Sequence, residues 1–373
     1  MTHALLRDME QVDVVVVGGG VTGLASASAI AARGFSTCLI ERHPRPGLDT
    51  STHNSGVIHA GIYHPPGSLK SALCVKGRGL LYAFCARHGV PHVKCGKLIV
   101  AHDASEIPAL ERLFNLGFAN DVAGLTLVDR AFIVSKEPAV VGVAGIWSPE
   151  SGVIDAEALV KALLRTAQAQ GVMFLSGTKL IGADRDPAGM AIRTLRETIR
   201  ARTVVNAAGL YADDVSAMLG GEAFTIHPCR GEYAEFVPAK RSLVNGLVYP
   251  LPHSSGHGLG VHLVRATGGQ VWLGPTIRYQ ERKDDYEDDR EPLESFATAA
   301  QRMIAGVTIG DLRLAGSGIR AKLHPAVESY ADFMIRRDRR NPSVVQASGI
   351  DSPGLTSCLA VGNLVSQIVA DGL

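Results

Sequence analysis

The sequence lacks the features that mark several large classes of protein. Aromatic residues make up only 5% of the 373 residues and no internal repeat is present, which argues against propellers and solenoids. No apolar run approaches the roughly 18 to 20 residues of a membrane-spanning helix, and residues 1–11 lack the basic head and long apolar stretch of a secretory signal. A formal net charge of +1 gives no electrostatic reason to expect a nucleic-acid partner.

The six cysteines are placed without the spacing of a metal or redox motif. None of them forms a C-x-x-C pair, which argues against a metal centre and against a disulfide-reductase dithiol. We therefore expect reduced thiols, no bound metal and a cytoplasmic protein. At 373 residues the chain exceeds one usual hydrophobic core, so we expect two closely joined domains.

The clearest feature that is present is a glycine motif near the start of the chain. Residues 12–17 form an apolar run, broken only by Asp13, that is typical of a parallel strand buried on both faces. Gly18, Gly20 and Gly23 follow with the spacing G-x-G-x-x-G. In dinucleotide-binding folds the first glycine permits a tight turn and the second lets the backbone approach a pyrophosphate. The third allows the helix and strand to pack closely.

The surroundings of this motif favour a binding site over an ordinary turn. A helix is predicted over residues 21–33, with Gly34 ending it, and a second strand over residues 36–40. Glu41 ends that strand, 18 residues after Gly23. A carboxylate there binds ribose hydroxyls and repels a 2′-phosphate, so the sequence predicts a dinucleotide with an unphosphorylated adenosine.

The rest of the chain first alternates predicted helices and strands and then consists mainly of short predicted strands and turns. The predicted elements are helices over about 68–88, 106–116 and 156–170, the last capped by Asp155, and strands over 96–101, 172–175, 191–195 and 198–205. From about residue 221 to residue 318, short strands separated by turns predict an antiparallel sheet. We therefore predict an α/β fold in which a Rossmann-like domain with a parallel sheet is interwoven with an antiparallel-sheet substrate domain.

A polar segment after Glu41 points to a flavin. Residues 51–63, which we call the histidine segment, read Ser-Thr-His-Asn-Ser-Gly-Val-Ile-His-Ala-Gly-Ile-Tyr. Two later segments favour FAD over NAD, although the second could also be an ordinary loop before a helix. Residues 204–213 form a buried strand that ends in small residues. Residues 348–357 open a final helix, whose free N–H groups suit the negative edge of a reduced flavin.

Together these segments resemble the FAD-dependent oxidoreductases of the D-amino-acid oxidase type, and within them the L-2-hydroxyglutarate dehydrogenase/oxidase family. The resemblance runs from Val14 to Val365. It rests on the histidine segment and on shorter matches at residues 65–70, 74–76, 96–101, 206–209, 230–233, 259–262, 274–275, 318–320 and 352–356. Two places depart from the family pattern: His64, where a second tyrosine is expected, and residues 316–325, which vary between subgroups. Both are expected to line the pocket mouth and leave the length of the substrate open.

The resemblance implies FAD as the cofactor and a division of the chain between two domains. Residues 10–90, 145–220 and 341–373 would form the FAD-binding domain, and residues 91–144 and 221–340 the substrate domain. The residues expected to contact FAD are Gly18, Gly20, Gly23, Glu41, Arg42, Thr52, His53, Asn54, Ser55, Asn206, Ala208, Gly209, Gly349, Ser352, Gly354, Leu355 and Thr356. Whether the flavin is attached covalently through His53 is open.

Two residues are the candidates for the chemistry itself. His59 is the expected base, because removing an alcohol proton as hydride passes to flavin N5 needs a proton acceptor that works near neutral pH. The alternative is a structural histidine. Arg320 is the expected clamp for a substrate carboxylate, because its two parallel donors match that group. The other pocket candidates, each of which could instead be a supporting residue, are Tyr249, His262, Arg230, Tyr233 and Lys322.

The sequence supports two enzymatic functions over a non-enzymatic one. The first is oxidation of a small anionic 2-hydroxy acid, above all L-2-hydroxyglutarate to 2-oxoglutarate. The second is an amino acid, amine or glycerol-3-phosphate oxidase on the same fold; a nucleotide-binding protein without activity would not need His59 and Arg320. The electron acceptor would be oxygen or a quinone. The charged runs at residues 281–290 and 336–340 are typical of solvated surface, but the basic run could touch an anionic membrane, so the predicted location is cytoplasmic or peripheral at the inner membrane face.

Overall fold

The computed structural model describes residues 11–187, 189–252 and 260–373, which form two large β-sheets with helices packed against them. The α-helices, numbered in chain order, are α1 (Val21–Ala31), α2 (Leu69–His88), α3 (Ile107–Ala119), α4 (Arg130–Lys136), α5 (Ala156–Ala169), α6 (Ala212–Met218), α7 (Leu293–Met303) and α8 (Gly354–Ala370). The strands are β1 (Val12–Val17), β2 (Thr37–Ile40), β3 (Val57–Ile58), β4 (His92–Val93), β5 (Lys97–Ala101), β6 (Thr126–Asp129), β7 (Ala144–Ser148), β8 (Gly152–Ile154), β9 (Met173–Leu175), β10 (Leu180–Asp186), β11 (Gly189–Thr194), β12 (Thr198–Asn206), β13 (His227–Phe236), β14 (Leu247–Pro250), β15 (His262–Arg265), β16 (Val271–Gly274), β17 (Arg278–Tyr279), β18 (Leu312–Lys322), β19 (Met334–Arg337) and β20 (Val344–Ser348).

The first sheet is built around β1. Its order is β10-β11-β12-β1-β2-β9, with β20 beside β12 and β19 beside β20. β1 pairs in parallel with β2 and β12, and β20 pairs in parallel with β12. The five valines of β1 are all buried, because β-branched side chains suit a strand that is covered on both faces. The predicted parallel sheet is confirmed.

Small residues let the C-terminal helix pack closely against two N-terminal helices. A Cβ on Gly362 of α8 would lie 2.7 Å from the backbone of Ala25 in α1. A Cβ on Gly77 of α2 would lie at the same distance from the Cα of Ser357 in α8. Glycine at both contacts therefore allows the helix backbones to approach, which holds α8 against α1 and α2.

The second sheet is mostly antiparallel, as predicted. Its order is β17-β13-β16-β15-β14-β5-β7-β6, with β18 beside β13. β13 and β18 pair antiparallel from His227 opposite Lys322 to Phe236 opposite Leu312. Helix α7 covers this sheet with Phe296, which is buried in the same apolar cluster as Phe236. A small third sheet, β3-β8-β4, fixes the middle of the histidine segment.

The structure moves several predicted boundaries. α1 ends at Ala31 rather than Arg33, because the chain then turns towards Gly34, which takes a φ of 91°. α3 runs to Ala119, beyond its predicted end at residue 116. The two sheets divide the chain near the predicted domain limits, except that Ala144–Ser148 pairs in the second sheet and Met334–Arg337 in the first. The division into domains itself stays a prediction.

Three observations bear on membranes, metals and thiols. Within the described part of the chain, no helix combines the length and apolar character needed to cross a bilayer. Among the same residues, no group of three or more His, Cys, Asp or Glu side chains is placed to hold a metal ion. All six cysteines are free. Burial raises the pKa of the Cys74 and Cys358 thiols to about 12, so neither is a reactive thiolate at neutral pH.

Candidate active site

A cavity of about 610 Å³ lies between the two large sheets. Part of it is lined by the turn after β1, by Glu41 and by residues 207–210. Another part is lined by side chains of the second sheet, among them His262 and Arg320. The histidine segment and the start of α8 complete the lining. The fold therefore gathers into one cavity the separate segments that the sequence singled out.

The turn after β1 is kept free of side chains by three glycines. Gly18 takes a φ of 110°, and a Cβ there would lie 2.5 Å from the Ala207 carbonyl oxygen. A Cβ on Gly23 would overlap the Gly18 carbonyl oxygen, so α1 can approach β1 only without one. Gly20 caps the start of α1 and lies in the cavity lining, where a Cβ would be 2.8 Å from the Ser51 hydroxyl. The bare turn and the helix start offer backbone N–H groups and partial positive charge to an anion.

Glu41, at the end of β2, fixes this turn from the other side. Its carboxylate accepts hydrogen bonds from the backbone N–H of Gly19 (2.6 Å) and of His43 (2.7 Å). Each carboxylate oxygen has a further acceptor position, and Glu41 lies in the cavity lining. It is therefore placed to accept the hydroxyls of a ribose.

His59 is held in the cavity wall by groups from two helices. Its backbone N–H donates to the Thr356 hydroxyl of α8 (2.9 Å), and its carbonyl oxygen accepts from the Cys74 thiol of α2 (3.5 Å). The Nε2 atom of its ring lies 3.4 Å from the Ser352 hydroxyl. The main chain of His59 is thus fixed independently of its side chain, and the ring is left for the cavity.

The surroundings of His59 keep its ring uncharged. Burial lowers the pKa of His59 well below its usual value, and Lys97, His64 and His262 lower that pKa further. A neutral imidazole offers a lone pair to a proton donor, whereas the protonated form offers none. The ring is thus in the state that a general base requires.

Arg320 presents an unpaired guanidinium to the cavity. Its Nη atoms lie 3.4 and 3.5 Å from the Thr276 carbonyl oxygen and 3.9 Å from the Cys229 sulfur. None of the ion pairs formed by residues 11–187, 189–252 and 260–373 includes it. Gly231, on the neighbouring strand, leaves the space that the guanidinium occupies. Arg320 is therefore free to bind a carboxylate or a phosphate with two parallel hydrogen bonds.

The lining also contains the predicted pocket residues Tyr233, Tyr249, His262 and Lys322. Tyr249 stacks on His262, with ring centroids 3.7 Å apart. Burial lowers the pKa of His262 to about 3, so its ring is neutral. Lys322 lies 3.7 Å from the Asp351 carboxylate, and burial lowers the pKa of Lys322. This side of the cavity thus carries positive charge next to aromatic surface.

Arg230 is not part of the cavity, contrary to the prediction. Its side chain is 1% exposed and pairs with Glu232 (3.0 Å) and Asp285 (3.4 Å). Successive side chains of a strand point to opposite faces. Because Gly231 and Tyr233 of β13 line the cavity, Arg230 and Glu232 face the other way, where Arg230 anchors the loop after β17 to the sheet.

Comparison with known proteins decides the family. Residues 13–368 match the family described as DAO, FAD dependent oxidoreductase. The chain belongs to this family. The mitochondrial L-2-hydroxyglutarate dehydrogenases of Arabidopsis thaliana and Homo sapiens are each 34% identical to it over 96% of the chain, and over 83% and 81% of their own lengths. The structure of dithionite-reduced L-alpha-glycerophosphate oxidase from Mycoplasma pneumoniae with FAD bound has a TM-score of 0.88 at 27% identity, covering 97% of this chain and 95% of that one.

The cavity fits the cofactor of this FAD-dependent oxidoreductase. The bare glycine turn suits a pyrophosphate, Glu41 suits a ribose, and the start of α8 suits the polar edge of a flavin. A side chain at Gly18 would clash with the Ala207 backbone, and one at Gly20 would crowd the Ser51 hydroxyl, so the turn needs both glycines. We propose that FAD is held by the predicted residues that lie in the lining, which are Gly18, Gly20, Glu41, His53, Asn54, Ser55, Ala208, Gly209, Ser352, Gly354 and Leu355.

Six of the predicted FAD contacts lie outside the lining of the oxidoreductase cavity. Thr52 donates to the Gly47 carbonyl oxygen (2.6 Å), and Arg42 pairs with Asp49 (2.9 Å). Such short polar contacts within a loop are common, and the spacing of the sequence does not reveal them. The remaining four residues are Gly23, Asn206, Gly349 and Thr356, and of these Thr356 positions His59.

The sequence analysis missed part of the lining. Lys70 and Asp351 form a buried ion pair in it (2.7 Å). Burial lowers the pKa of His64 to about 4. Tyr63 ends the histidine segment and His64 follows it at the expected pocket mouth, and both lie in the lining. Lys70 and Asp351 come from distant parts of the chain, and no pattern in a single sequence pairs them.

Proposed function

We propose that this enzyme oxidises L-2-hydroxyglutarate to 2-oxoglutarate, with His59 as the base and Arg320 as the clamp for the carboxylate beside the reacting carbon. The observation that carries the proposal is the presence, in one cavity, of a neutral histidine and an arginine without a carboxylate partner in the described chain. The relatives named above are L-2-hydroxyglutarate dehydrogenases, which supports this substrate class.

His59 would remove the hydroxyl proton of the substrate. FAD, when bound, supplies the acceptor for the hydride that leaves the same carbon. The proton passes to Nε2 of His59, the ring atom beside the Ser352 hydroxyl. The negative charge of a bound substrate raises the proton affinity of the imidazole, which opposes the lowering by its positive neighbours. His59 is therefore a stronger base with substrate than without it.

A dicarboxylate also needs a second cationic contact. Lys322 is the better candidate than His262, because burial lowers the pKa of His262 to about 3 and leaves it uncharged. Lys322 lies 3.7 Å from Asp351, whereas Lys70 lies 2.7 Å from the same carboxylate. Lys322 is thus the lysine less tightly paired with Asp351, although its Nζ atom also lies 3.2 Å from His324 Nε2, and we propose that it receives the distal carboxylate.

Glycerol 3-phosphate is the second candidate substrate. The glycerophosphate oxidase of Mycoplasma pneumoniae is the structural relative reported above, at 27% identity. Glycerol 3-phosphate, like L-2-hydroxyglutarate, combines a hydroxyl with an anionic group. The same histidine and arginine would therefore serve either molecule, and the choice is made by the length and charge of the pocket.

The test is anaerobic reduction of the bound flavin by a panel of substrates. The panel contains L-2-hydroxyglutarate, its D enantiomer, L-lactate, glycerol 3-phosphate, glycine and L-proline, and the readout is loss of the visible flavin band. We expect L-2-hydroxyglutarate to give the highest kcat/KM. Equal efficiency with L-lactate or an amino acid would contradict the proposal, and a preference for glycerol 3-phosphate would select the second candidate.

Arg320→Lys should weaken catalysis although it keeps the charge, and Arg320→Ala should weaken it more. A lysine offers a point charge in place of two parallel donors. Removing one partner of a hydrogen-bonded charge pair costs on the order of 2–5 kcal/mol, so kcat/KM of the alanine variant should fall by roughly 30-fold or more. Steady-state kinetics with L-2-hydroxyglutarate, corrected for FAD content, measures this. An unchanged kcat/KM in Arg320→Ala would remove Arg320 from the site.

Gly231→Ala should displace the clamp without removing it. The added methyl would lie 2.7 Å from both Nη atoms of Arg320 and 2.8 Å from Pro275, so the guanidinium must move. We expect kcat/KM to fall by roughly 10- to 100-fold, because a shift of 1 Å in a positioning group has effects of that order. Gly316→Ala, where a Cβ meets no atom within 4 Å, is the control on the neighbouring strand. Equal losses in the two variants would contradict the steric argument.

We infer that oxygen or a quinone reoxidises the reduced enzyme. A membrane-bound quinone would favour contact with a membrane, but two arginines of the basic run at residues 336–340 are used inside the fold. Arg336 pairs with Glu222 (2.5 Å), and Arg337 donates to the Ile368 and Val369 carbonyl oxygens at the end of α8 (3.1 and 3.2 Å). Both arginines are thus engaged within the fold. A location in the cytoplasm or at the inner membrane face stays a prediction.

A further inference from the structure

Lys97 is a buried cation behind the wall of the active-site cavity. It opens β5 with 0% exposure, and its Nζ atom has no hydrogen-bond partner among the residues that the structure describes. The other residues of β5 are Leu, Ile, Val and Ala. Burying an ammonium group without an anion is costly. Packing alone therefore gives no reason for a lysine at this position.

Two aromatic rings stand between Lys97 and the cavity. Its Nζ atom lies 4.0 Å from the ring centroid of Tyr249 and 5.2 Å from that of Tyr63, within the range of cation–π contacts. Both tyrosines line the cavity, and Lys97 does not. Tyr249 also stacks on His262. The lysine therefore acts on the cavity through this aromatic wall and not by contact with what the cavity holds.

The charge of Lys97 lowers the pKa of two histidines in the cavity lining, His59 and His262. Burial is the largest cause of the lowered pKa of His59, and the charge of Lys97 is the second, larger than the effects of His64 and His262. After burial, Lys97 is also the largest charge that lowers the pKa of His262, ahead of Arg320. The charge of one lysine thus lowers the pKa of the proposed base, His59, and that of His262.

Lys97 is also the group near His59 that changes charge close to neutral pH. Burial lowers the pKa of Lys97 to about 7. The titratable groups that face it are the thiols of Cys74 and Cys95, whose pKa burial raises to about 12 and about 11, and the hydroxyls of Tyr63 and Tyr249, whose pKa burial also raises. These four stay neutral near pH 7. Among these five groups, Lys97 is therefore the one whose charge changes near pH 7.

We propose that Lys97 is a positioning residue for the reaction: its charge, acting through the Tyr63–Tyr249 wall, keeps His59 unprotonated while an anionic substrate fills the cavity. A bound dicarboxylate favours uptake of a proton by any base beside it. If His59 took that proton from solvent, it could no longer accept the one from the substrate. A cation behind the wall opposes this uptake without touching the substrate. This inference rests on the proposed role of His59.

The first experiment measures His59 directly. Holoenzyme with isotope-labelled histidine is titrated by NMR without substrate, in the wild type and in Lys97→Met, and the His59 signal is identified by its loss in His59→Ala. We expect His59 to titrate at higher pH in Lys97→Met, because a positive charge has been removed. Identical curves, including two curves without a transition, would overturn the inference. Lys94→Met is the control, since Lys94 is exposed and pairs with Glu150 (2.6 Å).

The second experiment measures the rate of flavin reduction by L-2-hydroxyglutarate against pH in the same proteins. Below about pH 7 the wild-type lysine is charged, so the ratio of wild-type to Lys97→Met rates should grow as the pH falls. Above about pH 8 the wild-type lysine is mostly neutral, so the two rates should converge. A structural defect would instead lower the rate by one factor at every pH, and that result would overturn the inference.

The two experiments keep this inference separate from the proposed function. If His59→Ala leaves flavin reduction unchanged, His59 is not the base and the proposed function fails. The NMR titration still shows whether Lys97 lowers the pKa of His59, because it does not depend on catalysis. If His59→Ala is slow and the His59 titration does not move, the inference about Lys97 fails and the proposed function remains. Should Lys97→Met not retain FAD, Lys97→Gln removes the same charge with a polar side chain and is read in the same way.

Discussion

Gly20→Val should give a folded protein that carries no FAD. Gly20 caps the start of α1 in the cavity lining, and the Cβ of a side chain there would lie 2.8 Å from the Ser51 hydroxyl. That hydroxyl accepts a hydrogen bond from the Val21 N–H (3.0 Å), so it cannot turn away without releasing the start of the helix. The valine would therefore take up the space that a pyrophosphate needs beside the turn.

The ratio of visible to ultraviolet absorbance after purification measures this loss. Added FAD should also raise the melting temperature of FAD-depleted wild-type protein and not that of the variant, because a ligand stabilises only a fold that binds it. Gly79→Val is the matched control, since Gly79 is exposed on α2 and a Cβ there meets no atom within 4 Å. A yellow Gly20→Val protein with stoichiometric FAD would contradict the steric argument. A colourless wild type stabilised by NAD and not by FAD would overturn the cofactor assignment.

The glycine turn and its sheet could be predicted because their signals are local. The valines of β1, the three glycines and Glu41 all fall within residues 12–41, and each has one structural explanation. Buried β-branched residues form the strand, and the glycine spacing is the one that a βαβ unit needs at a dinucleotide. Gly23 is required by a contact within this unit, whereas Gly18 and Gly20 meet Ala207 and Ser51 from outside it. The structure shows contacts within the unit between Gly23 and Gly18 and between Gly19 and Glu41.

The substrate side of the cavity was harder to predict, because successive residues of a strand point to opposite faces and only one face reaches the cavity. Arg230 and Gly231 are neighbours in sequence, yet only Gly231 faces the cavity. Choosing between them requires the register of β13 against β18, in which Gly231 pairs with Gly318. A one-residue shift exchanges the two faces of a strand, and nothing in the short strands between residues 221 and 318 fixes that shift from sequence.

Long-range pairing hid another part of the site. Lys97 begins a strand, a place where a lysine usually reaches solvent. It is buried because β5 lies between β14 and β7 in the middle of a sheet, with Lys97 beside Leu247 and Ser148. Leu247 lies about 150 residues away in the chain and Ser148 about 50, so the burial of this lysine follows from the sheet topology and not from its sequence neighbours.

His59→Ala should keep FAD and slow its reduction by L-2-hydroxyglutarate by roughly 10² to 10⁴-fold, the usual contribution of a general base. The fold should survive, because the bonds that anchor this residue to Thr356 and Cys74 use main-chain atoms that alanine also has. The ring itself makes one polar contact of 3.4 Å, to the Ser352 hydroxyl. The substitution therefore removes the proton acceptor and little else.

Single-turnover reduction in an anaerobic stopped-flow instrument measures the loss, because it isolates the step in which the substrate gives up its hydrogens. Free imidazole should restore part of the rate in His59→Ala, since it supplies the missing acceptor. The control is His88→Ala, which removes a histidine outside the cavity at the end of α2. Unchanged reduction in His59→Ala would make His59 a structural residue. The next base to test would then be His262, whose ring is neutral and lines the same cavity, ahead of His53, whose ring packs on Tyr286.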